Sequence, residues 1–211
     1  MIKKLLDSVN SKYKLTPLDV GEFSTLKAKG MTFHITAYQA AGLGHISVMS
    51  AAGMLGLMKM DTMIINPDEK DLPFYSYDRI HAAGNDILMI ELYDTCLTMP
   101  DLSSLETIEK EYSDLPDKDA GQHWYDSIRL PGCVCKKAKK KESAKFDTLA
   151  ARHFDAYLKL PAEAPVNPQE KKKKGDDYVN QLLANGGPAT DVFIKKFGKE
   201  KTERLFREVL F

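Results

Sequence analysis

The segment Met58-Lys59-Met60-Asp61-Thr62-Met63-Ile64-Ile65-Asn66-Pro67 is followed, after a short polar link, by Leu72-Pro73-Phe74-Tyr75-Ser76-Tyr77-Asp78-Arg79-Ile80. Both runs have strand length and strand composition, and the link is too short for a helical crossover, so they predict neighbouring antiparallel strands. Each run carries a carboxylate among apolar neighbours, Asp61 in the first and Asp78 in the second. An ionised carboxylate in apolar surroundings costs several kcal/mol unless it is paired, protonated or used chemically. Alternation places Phe74, Ser76, Asp78 and Ile80 on one face of their strand, and Asp61 with Leu57, Lys59, Met63 and Ile65 on one face of its own. Two acids neighbouring on one face would repel, leaving at least one protonated near neutral pH and able to donate a proton to an unsaturated substrate. The same residues also fit a structural role, with Asp78 bridged to an arginine from a covering helix and Asp61 paired with Lys59 or capping a polar sheet edge.

Strand signals extend on both sides. Met31, Phe33, Ile35 and Ala37 alternate with polar residues, and Gly42-Leu43-Gly44 turns the chain into His45-Ile46-Ser47-Val48-Met49, a predicted hairpin. Further strands are predicted over Met54 to Ile65, Phe74 to His81 and Asp86 to Tyr93, with Asn66-Pro67-Asp68 and Gly84-Asn85-Asp86 supplying turns. Before them, Ile2, Leu5, Leu6 and Val9 have helical spacing. After Pro100 the period lengthens: Leu102, Leu105, Ile108 and Tyr112 predict one amphipathic helix, and Phe146, Leu149, Ala150, Phe154, Tyr157 and Leu158 a longer one. Gly186-Gly187 and Gly198 separate three short helices over Asp177 to Ala184, Thr190 to Phe197 and Lys199 to Leu210. Ala162 to Lys174, with its prolines and consecutive lysines, is expected to be the least ordered stretch. The pattern is that of an antiparallel sheet covered by helices.

Composition narrows the function. A chain of 211 residues fits a single domain spanning 1–211, since one core can grow to roughly 250 residues. Its 30 basic and 30 acidic residues balance, which favours neither nucleic acid nor a membrane surface. No stretch approaches about 18 apolar residues, so no membrane span is expected and a cytoplasmic protein is. Cys96, Cys133 and Cys135 are too few for a disulfide framework. Cys133-Val-Cys135 lacks a second pair to complete a metal site, so these read as ordinary thiols and no metal is expected. Ala41-Gly42-Leu43-Gly44-His45 is a hairpin turn rather than a phosphate loop, and no nucleophile elbow is present. Glu91 is a third acid within an apolar strand, and His45 lies in a strand from which it can face the same pocket. Lys136-Lys137-Ala138-Lys139-Lys140-Lys141 and Lys171 to Lys174 read as two basic loops, and Asp101 to Asp119 as an acidic segment. The lysine runs lack the interleaved aromatics that stack on bases.

Tyr178-Val179-Asn180-Gln181 with Asn185, then Phe197-Gly198-Lys199-Glu200, and the terminal Arg207-Glu208-Val209-Leu210-Phe211 resemble the ending of ferredoxin-dependent bilin reductases. Asn66-Pro67 through Leu72-Pro73, Phe74-Tyr75 and Asp78 are similar to that family's approach to its catalytic aspartate. The likeness covers about Met54 to Tyr93 and about Phe146 to Phe211.

The resemblance implies an α+β fold, a three-layer α/β/α sandwich whose central antiparallel sheet is flanked by helices. A linear tetrapyrrole such as biliverdin would lie between sheet and C-terminal helices. It implies no flavin or metal cofactor: reduced ferredoxin or flavodoxin delivers single electrons to the bilin, and side chains supply protons. By position, Asp78 matches the proton-donating aspartate. Asp61 falls where several members have histidine and others asparagine, and so is expected as a second catalytic group. Met49 falls near a glutamate that some members carry and cannot titrate, a departure that leaves open a protein that binds a tetrapyrrole without reducing it. Asp147 is the nearest match to a further helical aspartate. Arg79, Arg129 and Arg152 are candidate partners for the propionates, Arg129 foremost, and Lys136, Lys137, Lys139, Lys140 and Lys141 for acidic ferredoxin. The alternative is an interaction domain whose buried acids are merely paired.

Overall fold

The computed structural model describes residues 1–119 and 121–211. The chain opens with α1 (Ile2–Asn10) and runs through β1 (Leu15–Leu18), β2 (Thr25–Ala28), β3 (Met31–Ala40), β4 (Gly44–Gly53), β5 (Met58–Asn66), β6 (Phe74–Ala82) and β7 (Asn85–Tyr93). There follow α2 (Ser103–Glu111), β8 (Val134–Lys139), α3 (Ser143–Tyr157), α4 (Pro168–Asn185), α5 (Pro188–Phe197) and α6 (Lys199–Leu205), with a final π-helical turn at Phe206–Leu210. All pairings are antiparallel, in the order β1-β3-β4-β5-β6-β7-β8, and β2 shares the outer edge of β3 with β1. This is the expected α+β arrangement, a sheet flanked by helices.

Strand alternation divides the core in two. On the first face Met63, Ile65, Tyr75, Tyr77, Leu88 and Ile90 pack beneath Leu5 of α1, Leu105 of α2, and Phe146 and Phe154 of α3. On the second face Phe33, Met49, Ile64 and Phe74 pack beneath Tyr178 of α4, Phe193 of α5, and Leu205 and Leu210 at the C-terminus. The register between β4 and β5 is held by a glycine. Gly44 has φ +138, and a Cβ there would collide with the Asn66 carbonyl oxygen.

Polar latches fix the second layer. His45 Nε2 lies 2.9 Å from the Val209 carbonyl oxygen, Ser47 Oγ donates to Leu210 O at 2.8 Å, and Asn66 Nδ2 to Phe211 O at 2.9 Å. These bonds satisfy carbonyls that a helix end leaves unpaired. Lys171, 2% exposed, donates to Leu72 O at 2.5 Å and Thr95 O at 2.9 Å, with Asp71 at 3.7 Å. It pins α4 to both chain segments that flank the β6–β7 pair.

Several expectations need correction. The strand predicted from Met54 begins at Met58, because the chain turns at Leu55 (φ 57) and Gly56 (φ 84). Strands β1, β2 and β8 carried too few apolar residues to be read. The lysine runs are not loops: Lys136, Lys137 and Lys139 belong to β8, and Lys171 to Lys174 to α4. The stretch expected to be disordered therefore ends in helix, started by Asn167, whose side chain accepts from the Glu170 amide, and by Pro168 in the first turn. Among the described residues, no helix is long and apolar enough to cross a membrane.

Replacing Lys171 by alanine strands two buried carbonyls and leaves the Asp71 carboxylate with only the Leu97 and Thr98 amides as partners. Lys171→Ala is expected to lower unfolding free energy by about 3 kcal/mol in urea titrations.

Candidate functional site

Asp78 lies at the middle of β6, and the ladder places it in a straight row across the sheet. Met49 of β4 pairs with Thr62 of β5, Thr62 with Asp78, Asp78 with Met89 of β7, and Met89 with Cys135 of β8. Directly opposed residues share a face, so all five side chains project to the side of the C-terminal helices. Thr62 Oγ1 donates to Asp78 Oδ1 at 2.5 Å, and Ser76 Oγ donates to Oδ2 at 3.3 Å.

The covering helices stop short of this row's far half. On the first face of β6 and β7, Tyr77, Arg79, Leu88 and Ile90 are buried. Their alternating neighbours Asp78, Ile80, Ile87 and Met89, with Met60 and Cys135 beside them, are only half-buried. A partly open apolar strip, or trough, thus runs across β5 to β8. Asp78 is densely surrounded by protein yet keeps part of its surface open to the trough. One end is walled by aromatic rings: Tyr93 lies 5.3 Å from Tyr125 and 4.9 Å from Tyr178, and Tyr178 5.7 Å from Trp124.

Burial pushes the Asp78 carboxyl up to about 6, with the nearby Glu91 charge adding to it and the Thr62 and Ser76 hydroxyls opposing. An aspartic acid that exchanges its proton near neutral pH, at the floor of an apolar trough, is suited to general acid chemistry. Glu91 pairs in register with Ser76 and so shares the Asp78 face. Tyr93 Oη donates to Glu91 Oε2 at 2.7 Å, and Arg129 Nη1 lies 3.9 Å from Oε1.

The other expected residues divide by face. Met49 stands in the row beside Thr62, 4% exposed beneath the C-terminal helices. Arg129 forms a bridge with Tyr93 and lies at the walled end of the trough. Asp61 does not join Asp78. It pairs with Arg79, projects to the opposite face, and accepts from Ser50 Oγ at 2.6 Å. The residue beside Asp78 on β5 is Thr62, one position along, because a single step in a strand reverses the side chain. Asp147 is likewise remote: on α3, it lies 3.6 Å from Arg79 on the first face. Arg79 itself is 2% exposed, bonded to Asp86 at 2.6 Å, and stacked over Phe146, so it is closed to a propionate. Arg152 sits on α3 in an ion pair with Glu111 at 2.6 Å. His45 is occupied by the terminal helical carbonyl of Val209. Lys136, expected to serve docking, is buried and bonded to Asp117 at 2.6 Å. Thr62, Tyr93 and the position of Glu91 were not read as parts of a site. The alternation within β5 and β7 contains them once the register is known.

The three cysteines carry no disulfide, and among the described residues no cluster of His, Cys, Asp or Glu is arranged for a metal ion. No family model matches the sequence, and no curated protein does. Among solved structures, the chain is similar to a crystal structure of phytochromobilin synthase from tomato in complex with biliverdin. The TM-score is 0.73 at 15% identity, over 98% of this chain and 80% of that one. At that identity the likeness establishes a shared fold.

Raising the Asp78 carboxyl in the native state has a signed cost. The native protein binds the Asp78 proton more tightly than the unfolded chain, so this contribution is fully present below about 4 and is lost as pH rises through 6. Asp78→Asn is therefore expected to gain about 2 kcal/mol relative to the parent between pH 4 and pH 7, read from urea unfolding at both values.

Proposed function

We propose that this protein reduces a linear tetrapyrrole, taking electrons singly from a reduced ferredoxin or flavodoxin, with Asp78 as proton donor and no cofactor of its own. The observation that carries this reading is a carboxyl that titrates near 6 at the floor of a partly open apolar trough, on a fold shared with a protein crystallised with biliverdin. A flat conjugated pigment suits such a floor, since Met60, Ile80, Ile87 and Met89 offer apolar contact without sealing the ligand from solvent. Added electrons make the pigment basic, and an acid with a pKa near 6 then transfers its proton downhill. Thr62 and Ser76 hold the two carboxyl oxygens, which fixes the direction in which the proton leaves. Arg129, at the walled end and 36% exposed, is placed to meet a propionate.

Electron delivery needs a docking face. Lys137 and Lys139 project from β8 on the trough side, opposite Ile87 and Asn85, and Lys140 and Lys141 follow in the next turn. Lys137, Lys139 and Lys141, with Lys145, border a groove of about 460 Å³ that also includes Asp114 and Glu142. An acidic electron-transfer protein is drawn to such a patch at low ionic strength. Lysines on an edge strand also block unwanted pairing, and that alone would explain them if no partner docks.

One specific feature favours a second reading. Met49 cannot titrate where some bilin reductases carry a glutamate, so the site would hold a tetrapyrrole with one acid fewer.

The deciding experiment is an anaerobic absorbance titration with biliverdin, followed in the same cuvette by reduced ferredoxin. A red-shifted complex that bleaches to a new pigment is the expected result; binding without bleaching would favour a protein that holds a tetrapyrrole without reducing it, and no spectral change would reject both. Asp78→Asn is expected to keep binding within about threefold and to lose at least about 100-fold in turnover. Replacing Lys137, Lys139, Lys140 and Lys141 by glutamine should raise the KM for ferredoxin at low salt and flatten its salt dependence, with biliverdin affinity unchanged.

A further inference from the structure

Glu91 has no part in the reading above, yet it is bound into the Asp78 face by independent contacts. It is the register partner of Ser76, and Ser76 is one of the two hydroxyls that donate to Asp78. Both of its own partners are donors: the Tyr93 hydroxyl at 2.7 Å on Oε2 and the Arg129 guanidinium at 3.9 Å from Oε1. Arg129 lies in turn 3.8 Å from Asp126. Side-chain exposure rises along this path, from 17% at Glu91 to 36% at Arg129 and 41% at Asp126, so it leads from the trough wall to solvent. Such surroundings suit a carboxylate that accepts, and they immobilise it beside Asp78.

We propose that Glu91 is a positioning residue of this site, a fixed carboxylate on Asp78's own face whose charge keeps a proton on Asp78 until the substrate takes it. The proposal rests on the reductase reading for its kinetic consequence and on the fold alone for its electrostatics. The other titratable groups on the Asp78 face are Tyr93 of β7, Cys135 of β8, whose thiol burial pushes up, Tyr125 of the turn at Trp124–Ser127, and Tyr178 of α4. Burial pushes the three phenols up, so they stay neutral, and Glu91, with Arg129 as its counter-charge, is left as the negative charge that acts on Asp78. A two-electron reduction takes two electrons from the reduced protein donor and two protons. When Asp78 gives its O–H proton to the reduced substrate it becomes a carboxylate beside Glu91. The repulsion between the two favours recapture of a proton from solvent at Asp78, which restores the acid for the next transfer. In this role Glu91 on β7 does from one side of Asp78 what Met49, on β4, cannot do from the other.

The test begins without pigment. Asp78 is titrated by NMR of carboxyl-labelled aspartate, assigned by its loss in Asp78→Asn. Its midpoint near 6 in the parent is expected to move toward acid by about one pH unit in Glu91→Gln, and to stay near the parent value in Glu91→Asp. Arg129→Gln, which removes the counter-charge and leaves Glu91, should move the midpoint the other way. That sign reversal keeps the test informative if Glu91→Gln folds poorly. With biliverdin and reduced ferredoxin, the basic limb of the turnover profile should follow the same order, with biliverdin affinity within about twofold of the parent in the two Glu91 variants. A midpoint unmoved in Glu91→Gln, or both charge variants moving the same way, overturns the inference even if turnover persists. If the midpoints move as expected but the parent neither binds nor reduces a bilin, Glu91's role stands and the reductase reading falls.

Discussion

Everything at this site depends on the pairing register of β4, β5, β6 and β7. An antiparallel ladder assigns each side chain to a face by parity, and a slip of one residue would send Asp78 under α3 and bring Arg79 out into the trough. The register is held at several points that do not belong to the ladder. Gly44 lets the β4 backbone approach Asn66, Asn66 holds the Phe211 carbonyl, and Lys171 ties α4 to Leu72 just before β6 begins. The candidate row of Met49, Thr62, Asp78 and Met89 inherits its alignment from those contacts.

The two faces of the sheet divide the work. The first is closed over β5 to β7 by α1, α2 and α3, with aromatic contacts such as Tyr75 against Tyr157 at 4.5 Å. Its polar members, Arg79 and Asp86, are paired with each other and with Ser143. That closure supplies stability, because apolar surface removed from water is the main favourable term in folding. The second face is closed only over the β2–β4 half and the Phe74 and Tyr93 ends of β6 and β7. What remains open is an apolar floor holding a carboxyl whose native state is destabilised at neutral pH. A chain that leaves such a patch uncovered forgoes burial there, a sacrifice that makes sense where a ligand supplies the missing contact.

Much of the fold was legible because its signals are local. Alternation in Phe74 to Ile80 placed Asp78 with Ser76 and Ile80, and the ladder agrees. Helical periodicity located α1, α2 and α3. The site was less legible. Asp61 and Asp78 each look like acids stranded in a strand, and the sequence offers no way to tell that they face apart. Residues 67–73 join the two strands, and a link of that length does not impose a register as a two-residue turn would. The lysine runs failed for another reason. Lys136 and Lys171 lie within tracts that look uniformly solvated, yet each is buried against carboxylates or carbonyls from segments distant in the chain.

By itself, then, the sequence determined the central strands β3 to β7, the helices α1, α2 and α3, the sheet's antiparallel sense and the face on which Asp78 stands relative to its own neighbours, since these follow from periods of two and 3.6 residues and from short connections. Only the tertiary structure decided which acids meet. Glu91 with its Tyr93 and Arg129 partners, Thr62 at the Asp78 carboxyl, and the half of the sheet left without helices all depend on inter-strand register and layer coverage. Those quantities are set by contacts between residues far apart in the chain, which no local pattern encodes.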